Sequence, residues 1–375
     1  MSDPIPFIDL QAQRKRLGDS LTRAIDEVVE GGQWILGPQV GTLEQQLVQF
    51  AGVKHAVACA NGTDALLLIL KAWGTGAGDA VFVPSFTFAA TAEVVALAGA
   101  TPVFVDVLSD TFNMDPGSLE AAIAMVRREG KLAAKAVIPV DLYGQPADYR
   151  KLEPVARREG LSILCDTAQG FGATLDGKHT AATGDAASTS FYPPKPLGCY
   201  GDGGACFTND DALAELIRSI RNHGEGEHRY EHARIGLNSR LDTIQAAILI
   251  EKLKIFPDEI AARERIGRRY NAQLSGSNRL RVPHVIAGAQ SVWAQYTIQV
   301  ENRAKFQADL KNDGVPTAVH YPIPLGRQRA YRHFPSVATP VADALAERVV
   351  SLPMHPYLDA GTQDRIIAAV LKSVG

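Results

Sequence analysis

Between about residue 55 and residue 210, short apolar and β-rich runs alternate with longer stretches whose apolar residues recur at helical spacing. The runs cover 56–60, 80–84, 101–107, 136–142, 161–165, 187–191 and 204–208, which predicts seven strands in a mainly parallel sheet covered by helices. Helix starts can be read between them. Asp115 and Pro116 supply an N-cap and a first-turn proline before Leu119, and Asp148 precedes the pattern that begins near Leu152. A long helical pattern follows Asp242 through Ala246, Ile250 and Leu253, with Pro257 expected to bend or end it.

Beyond about residue 256 the texture changes. A strand-like 292–300, a helix around 305–313 and proline-rich turns at 321–324 predict a smaller α+β domain. The expected division is therefore a large α/β domain over 1–255, including the N-terminal segment, and a small C-terminal domain over 256–375. No Pro/Gly/Ser linker separates them, so they are expected to pack together around a cleft.

Composition narrows the function. The chain has 375 residues, 46% of them hydrophobic and 21% charged, the balance of an ordinary soluble globular protein. Its formal net charge of -3 provides no long-range field for a nucleic acid or an anionic bilayer, so any bound anion must be held locally. Pro84, Glu93, Pro102 and Asp106 interrupt the most apolar stretch, which excludes a membrane span there. Asp3, Pro4, Pro6 and Asp9 stand where a secretory leader needs a basic start and an apolar run, so a cytoplasmic protein is expected. The four cysteines, Cys59, Cys165, Cys199 and Cys206, form no paired motif and are expected as buried free thiols. No two of the nine histidines have zinc-site spacing, so no metal is expected.

Four strand ends carry candidate chemistry, at the place where open α/β sheets bind ligands. Asn61-Gly62-Thr63-Asp64 joins a strand to a helix, and a glycine at a helix N-terminus can bring free N–H groups to a phosphate, although the same tetrapeptide also makes an ordinary turn. Asp166 ends an apolar strand, where a carboxylate needs a cationic or hydrogen-bonding partner. A protonated pyridine nitrogen would serve, and so would an N-cap role. Lys195 sits between Pro194 and Pro196, just past a buried strand and before Gly201-Asp202-Gly203-Gly204, either as a solvated loop lysine or as a desolvated amine near Ser190. Finally, Pro84-Ser85-Phe86-Thr87-Phe88-Ala89-Ala90-Thr91 opens a helix with aromatics that could cover a flat ring or simply pack in a core.

The order of these motifs resembles that of the DegT/DnrJ/StrS-type sugar aminotransferases: Asn61 to Leu66, Asp166-x-Ala168-Gln169, Ser190-Phe191-x-x-x-Lys195, then Gly201 to Gly204. The resemblance spans nearly the whole chain and takes in Phe7 to Leu10, Asn238 to Asp242, His320 to Leu325 and Leu352 to Pro356. It implies the aspartate-aminotransferase fold (fold type I), pyridoxal 5'-phosphate as cofactor, and a homodimer with active sites at the subunit interface. By motif, Lys195 resembles the Schiff-base lysine and Asp166 the partner of the pyridine nitrogen. Gln169 resembles the residue against one ring face, and Phe88 the aromatic at the other. Gly62, Thr63 and Ser190 resemble the phosphate cradle, and Asn238 a phosphate contact from the neighbouring subunit. Arg240, His320 and Tyr321 resemble substrate-side residues.

Within that family the resemblance runs nearest to UDP-2-acetamido-2-deoxy-3-oxo-glucuronate 3-aminotransferases, through Lys195 to Tyr200, Ser291 to Tyr296 and Thr317 to Tyr321. This implies a UDP-linked 3-keto sugar, either the glucose or the glucuronate form, L-glutamate as donor, and a role in surface polysaccharide or lipopolysaccharide synthesis. The chain departs from the pattern at Gly326, where histidine is expected, and at Arg329, where proline is usual; both bear on the sugar and leave the cofactor chemistry untouched. Competing implications are a dTDP- or GDP-linked keto-deoxy sugar, a sugar dehydratase of the same fold, and a catalytically silent regulator. A dehydratase would carry histidine at position 195, and a silent chain would have no reason to keep Asp166 buried.

Overall fold

The computed structural model describes residues 4–228 and 230–375; Asp3, one of the N-terminal acidic residues noted above, lies outside the described residues. Seven strands form the main sheet: β1 (His55–Cys59), β2 (Asp79–Pro84), β3 (Thr101–Val105), β4 (Ala133–Val137), β5 (Ser162–Asp166), β6 (Ala186–Ser190) and β7 (Gly204–Thr208). Their order is β1-β7-β6-β5-β4-β2-β3. All neighbours are parallel except β7, which runs antiparallel to both β1 and β6.

Both faces of this sheet are buried. On β2, Phe82 points into a core with Val103, Val137, Ile163 and Phe207, while Val81 and Val83 point into a second core with Val57, Phe104, Leu164 and Cys206. That two-sided burial is why the strands read as continuous apolar runs rather than alternating ones. All four cysteines are free and buried.

Two expectations are corrected. β4 ends at Val137, not residue 142, because Pro139 has no N–H for the ladder; Val140 keeps a single bridge to Asp166, and Leu142–Gly144 turn as a 3-10 helix. Pro257 does not end its helix, which runs unbroken from Thr243 to Leu274. Leu249, Phe256 and Ile260 of that helix bury into the first core, whereas Ile266, Tyr270 and Leu274 bury into the C-terminal one. Burial on both sides of the proline outweighs its lost hydrogen bond.

The C-terminal core surrounds a three-stranded sheet of Leu280–Arg281, Tyr296–Val300 and Val349–Leu352. Ile5 from the N-terminal segment packs into it, and Met354 N–H donates to the Phe7 carbonyl at 3.3 Å. Among the described residues, no helix is long and apolar enough to cross a membrane.

Candidate active site

The site gathers at the ends of β1, β2, β5 and β6. After β1 the chain turns at Asn61, whose side chain accepts Asp64 N–H at 2.8 Å and whose carbonyl accepts Ala65 N–H at 3.0 Å. Asn61 thus caps the helix Gly62–Ala72. The N–H groups of Gly62 and Thr63 are left in the first turn with no intrahelical acceptor, at the positive end of the helix. A Cβ on Gly62 would lie 2.5 Å from Cβ of Ser190, so only glycine lets this turn close on the end of β6. Ser190 Oγ accepts Tyr192 N–H at 3.3 Å, leaving its own O–H to donate. Two N–H groups and a hydroxyl are therefore brought close together, a donor set suited to a phosphate dianion.

Asp166, at the end of β5, is 5% exposed. Its Oδ2 accepts the Thr91 hydroxyl at 3.1 Å, and its Oδ1 accepts Ala168 N–H at 3.1 Å. Burial pushes its pKa up, while the Ala168 bond, the Lys195 charge and the Thr91 bond pull it down. Lys195 is half-buried, with its pKa lowered by burial against the attraction of Asp166. His320 also feels the Lys195 charge; burial first, and that charge second, lower its pKa. The three groups therefore share one electrostatic neighbourhood.

Gln169 is held at both ends, its Oε1 accepting Tyr143 N–H at 2.7 Å and its Nε2 donating to Tyr321 Oη at 3.1 Å. The Tyr321 ring lies 6.0 Å from that of Phe88, which is 54% exposed and so open to the cleft. The Tyr143 hydroxyl donates to the His320 carbonyl, and His320 Nδ1 meets Ser351 Oγ at 3.0 Å. The Phe7 ring stands 6.4 Å from that of His320, which brings the N-terminal segment to the rim.

Of the residues expected from sequence, Gly62 packs against Ser190 with Thr63 next to it at the cradle; Gln169, Phe88, His320 and Tyr321 are joined by hydrogen bonds and ring contacts, and Asp166, Lys195 and His320 by the Lys195 charge. Asn238 and Arg240 join none of these within one chain. Asn238 is exposed and bridges Asn222, and Arg240 Nη1 donates to Asn222 Oδ1 at 3.3 Å while its buried Nε has no partner among the described residues. Ser239 between them accepts Ala60 N–H at 3.4 Å, so the segment passes behind the cradle turn. Gly326 lies beside Ser85 and Phe104, and Arg329 is exposed. A surface cleft of about 690 Å³ lined by Phe50, Gly172, Lys178 and His179 contains none of these groups.

Thr91 and Tyr143 escaped the reading from sequence. Thr91 stood inside a quoted motif, yet its partner is 75 positions away. Tyr143 adopts φ 61, a left-handed backbone that a tyrosine in a local sequence does not announce.

These residues fit a ligand that carries a phosphate for the cradle, a flat ring with a protonated nitrogen for Asp166 and a carbonyl for the Lys195 amine. Among the described residues no cluster of His, Cys, Asp and Glu could hold a metal ion. The DegT/DnrJ/EryC1/StrS aminotransferase family matches residues 15–371. UDP-2-acetamido-2-deoxy-3-oxo-D-glucuronate aminotransferase of Pseudomonas aeruginosa is 50% identical over 366 residues, covering 98% of this chain and 99% of that one. UDP-N-acetyl-3-dehydro-alpha-D-glucosamine 3-aminotransferase of Acidithiobacillus ferrooxidans is 40% identical over 370 residues, with 99% and 98% covered. The crystal structure of a DegT DnrJ EryC1 StrS aminotransferase from Brucella abortus matches with TM-score 0.97 at 53% identity, over 99% of this chain and 100% of that one.

Proposed function

The chain belongs to the DegT/DnrJ/EryC1/StrS aminotransferase family and uses pyridoxal 5'-phosphate, and from that premise we propose that it aminates carbon three of a UDP-linked 2-acetamido-3-keto sugar. The sugar is the 3-oxo-glucuronate or 3-oxo-glucose form, by likeness to the relatives at 50% and 40% identity, which differ at carbon six. L-Glutamate is the amino donor, and the product feeds surface polysaccharide synthesis in the cytoplasm. The fold is that of fold type I, and we divide the chain into a large domain over 1–255 and a small one over 256–375.

When bound, pyridoxal phosphate supplies an electrophilic carbonyl and a protonated ring that draws electron density from the carbon losing its proton. Gly62, Thr63 and Ser190 would hold the phosphate through the cradle described above. Asp166 would accept the ring N–H; burial raises its pKa, while the Ala168 bond, the Lys195 charge and the Thr91 bond oppose that rise and favour the carboxylate that would keep the ring nitrogen protonated. Lys195 is the residue that would hold the cofactor at its carbonyl, and its amine, when free, would take up and return the proton of the donor carbon. Burial lowers the pKa of that amine, which favours the neutral form able to act as nucleophile and base. Gln169, fixed by Tyr143 and Tyr321, would lie against one ring face, and Phe88 would cover the other.

His320 and Tyr321 line the sugar side. Arg240 acts there as well, and Asn238 reaches the phosphate of the neighbouring subunit in a homodimer. Exposed Trp34, Ile35, Leu36 and Ile235 support such a dimer, since large apolar side chains in water call for a partner surface.

The observation that carries the assignment is the buried Asp166 sharing its electrostatic neighbourhood with Lys195. It is tested by the visible absorption of the purified protein with added cofactor. L-Glutamate should bleach the band of the protein-bound cofactor, the UDP-3-keto sugar should restore it, and Lys195→Ala should lack the bound-cofactor band from the start. A protein that stays colourless with cofactor, or a band indifferent to glutamate and to Lys195→Ala, contradicts the proposal.

A further inference from the structure

The Lys195 amine can be placed no better than the loop that carries it. Between β6 and β7 the chain forms neither helix nor strand, and it closes through Lys195 N–H to the Tyr192 carbonyl at 2.8 Å and Cys199 N–H to the Phe191 carbonyl at 2.7 Å. Gly198 is wedged so tightly that a Cβ there would fall 2.3 Å from the Pro193 carbonyl oxygen. Its own carbonyl faces away, toward the long helix Thr243–Leu274. There it accepts a hydrogen bond from Lys252 Nζ at 2.5 Å.

Lys252 is 1% exposed and, among the described residues, has no carboxylate within salt-bridge distance. Its ammonium lies 4.4 Å from the centre of the Tyr200 ring, a cation–π contact with the same loop. Two turns earlier on the helix, Gln245 grips the backbone of Tyr200 from both sides. Its Oε1 accepts the Tyr200 N–H at 2.8 Å and its Nε2 donates to the Tyr200 carbonyl at 3.4 Å. Residues seven apart share one face of a helix, so one rigid element holds the loop at two points.

Glu259 attracts the buried Lys252 ammonium only from beyond salt-bridge distance, so its burial is still costly, and a methionine of similar length would serve packing better. The cation is explained by its acceptor, a carbonyl three residues from Lys195. We infer that Gln245 and Lys252 form a two-point clamp on the loop and are positioning residues for the Lys195 amine. The inference rests on Lys195 being the cofactor lysine. A small displacement of a reacting group costs much rate, which is why a contact some residues away can matter.

The test uses the full chain with added pyridoxal phosphate. Lys252→Met removes the ammonium and keeps the stem; Arg263→Met, on the same helix, removes another buried cation, one that donates to the Trp293 carbonyl at 3.1 Å and does not touch the loop. In Lys252→Met, the rate at which the bound-cofactor band forms and kcat should each fall by about tenfold or more, the pH midpoint of the band should move, and the sugar KM should stay within about twofold. Arg263→Met should lower Tm while leaving the band and kcat within about twofold of native. A Lys252→Met protein that loses Tm while keeping native band formation, midpoint and kcat overturns the inference. If that variant does not fold, Gln245→Ala carries the test, with about a threefold loss expected in the same readouts and no change overturning it. A native protein that forms no bound-cofactor band overturns the Lys195 assignment itself, and this inference with it.

Discussion

Gly62→Ala tests the cradle most directly, because the substitution adds one methyl group at a place whose neighbours are known. The new Cβ would stand 2.5 Å from Ser190 Cβ and 3.1 Å from both its Cα and its Oγ. Carbon atoms rest about 3.5–4.0 Å apart, so the helix start and the end of β6 must separate by roughly 1 Å. Overpacking of that kind costs about 1–3 kcal/mol. The separation also widens the gap between the Gly62 and Thr63 N–H groups on one side and the Ser190 hydroxyl on the other, so a phosphate can no longer meet both. A hydrogen bond to a charged group is worth about 1.5–3 kcal/mol, and losing one of them weakens cofactor binding by about 10- to 100-fold.

The assay is a cofactor titration followed by absorbance, paired with Tm in the presence and absence of cofactor. Strain alone lowers both Tm values equally. A damaged cradle also shrinks the rise in Tm that cofactor produces, since a ligand stabilises by RT ln(1 + [L]/Kd). Affinity within about threefold of native, with an unchanged cofactor-induced rise, would refute the assignment of this turn to the phosphate.

Three further outcomes are expected. Thr91→Val removes the hydroxyl bonded to Asp166 Oδ2, so the carboxylate pKa rises, the acid limb of the kcat/KM profile moves to higher pH, and kcat falls about tenfold; a superimposable pH profile contradicts the role given to Thr91. Asp141 is fully buried, and burial pushes its pKa up to about 7, so native stability is lost as pH rises from the unfolded value of 3.8 through that range. In urea unfolding across pH, Asp141→Asn should therefore gain roughly 4 kcal/mol on native between acid pH and about pH 8, and a flat difference speaks against the buried charge. Lys195→Ala and Asn238→Ala, each weakened alone at limiting cofactor, should recover about a quarter of native activity when their subunits are mixed, because half the dimers then hold one intact site; no recovery despite proven exchange excludes a shared site.

Much of the large sheet was legible because its strands are buried on both faces, which makes each a bounded apolar run. Where the physics differed from that rule, the reading slipped. The Ala133-Ala134-Lys135 half of β4 lies toward the protein surface and carries no apolar signal, while the apolar Ile138-Pro139-Val140 that followed is loop. Pro257 reads as a bend or an end because a proline costs a helix about 3 kcal/mol locally, yet the helix continues, with Phe256, Ile260, Ile266 and Tyr270 buried against two cores around it. The two-residue strands at Thr174–Leu175, Lys178–His179 and Ala289–Gln290 are too short to show any period.

The candidate site divides along a similar line. Asp166 and Ser190 were visible because each closes a strand with a residue that a strand end alone does not need, Gly62 because it opens the helix just after one, and the order of the motifs tied Lys195 to them. The residues that tune these groups were invisible because each acts on a distant segment: Thr91 on Asp166, Tyr143 on Gln169 through its backbone N–H and on His320 through its hydroxyl, Lys252 on Gly198. Lys252 is the sharpest case. In sequence it sits between Glu251 and Lys254, which bond each other on the surface, and reads as one more charged residue of a solvated helix face. Only its burial turns it into a constraint, because an ammonium withdrawn from water must find an acceptor, and the acceptor it finds is the loop that holds Lys195. Chemistry written at strand ends is local and can be read along the chain, whereas the geometry that makes it productive is set by contacts between segments tens of residues apart.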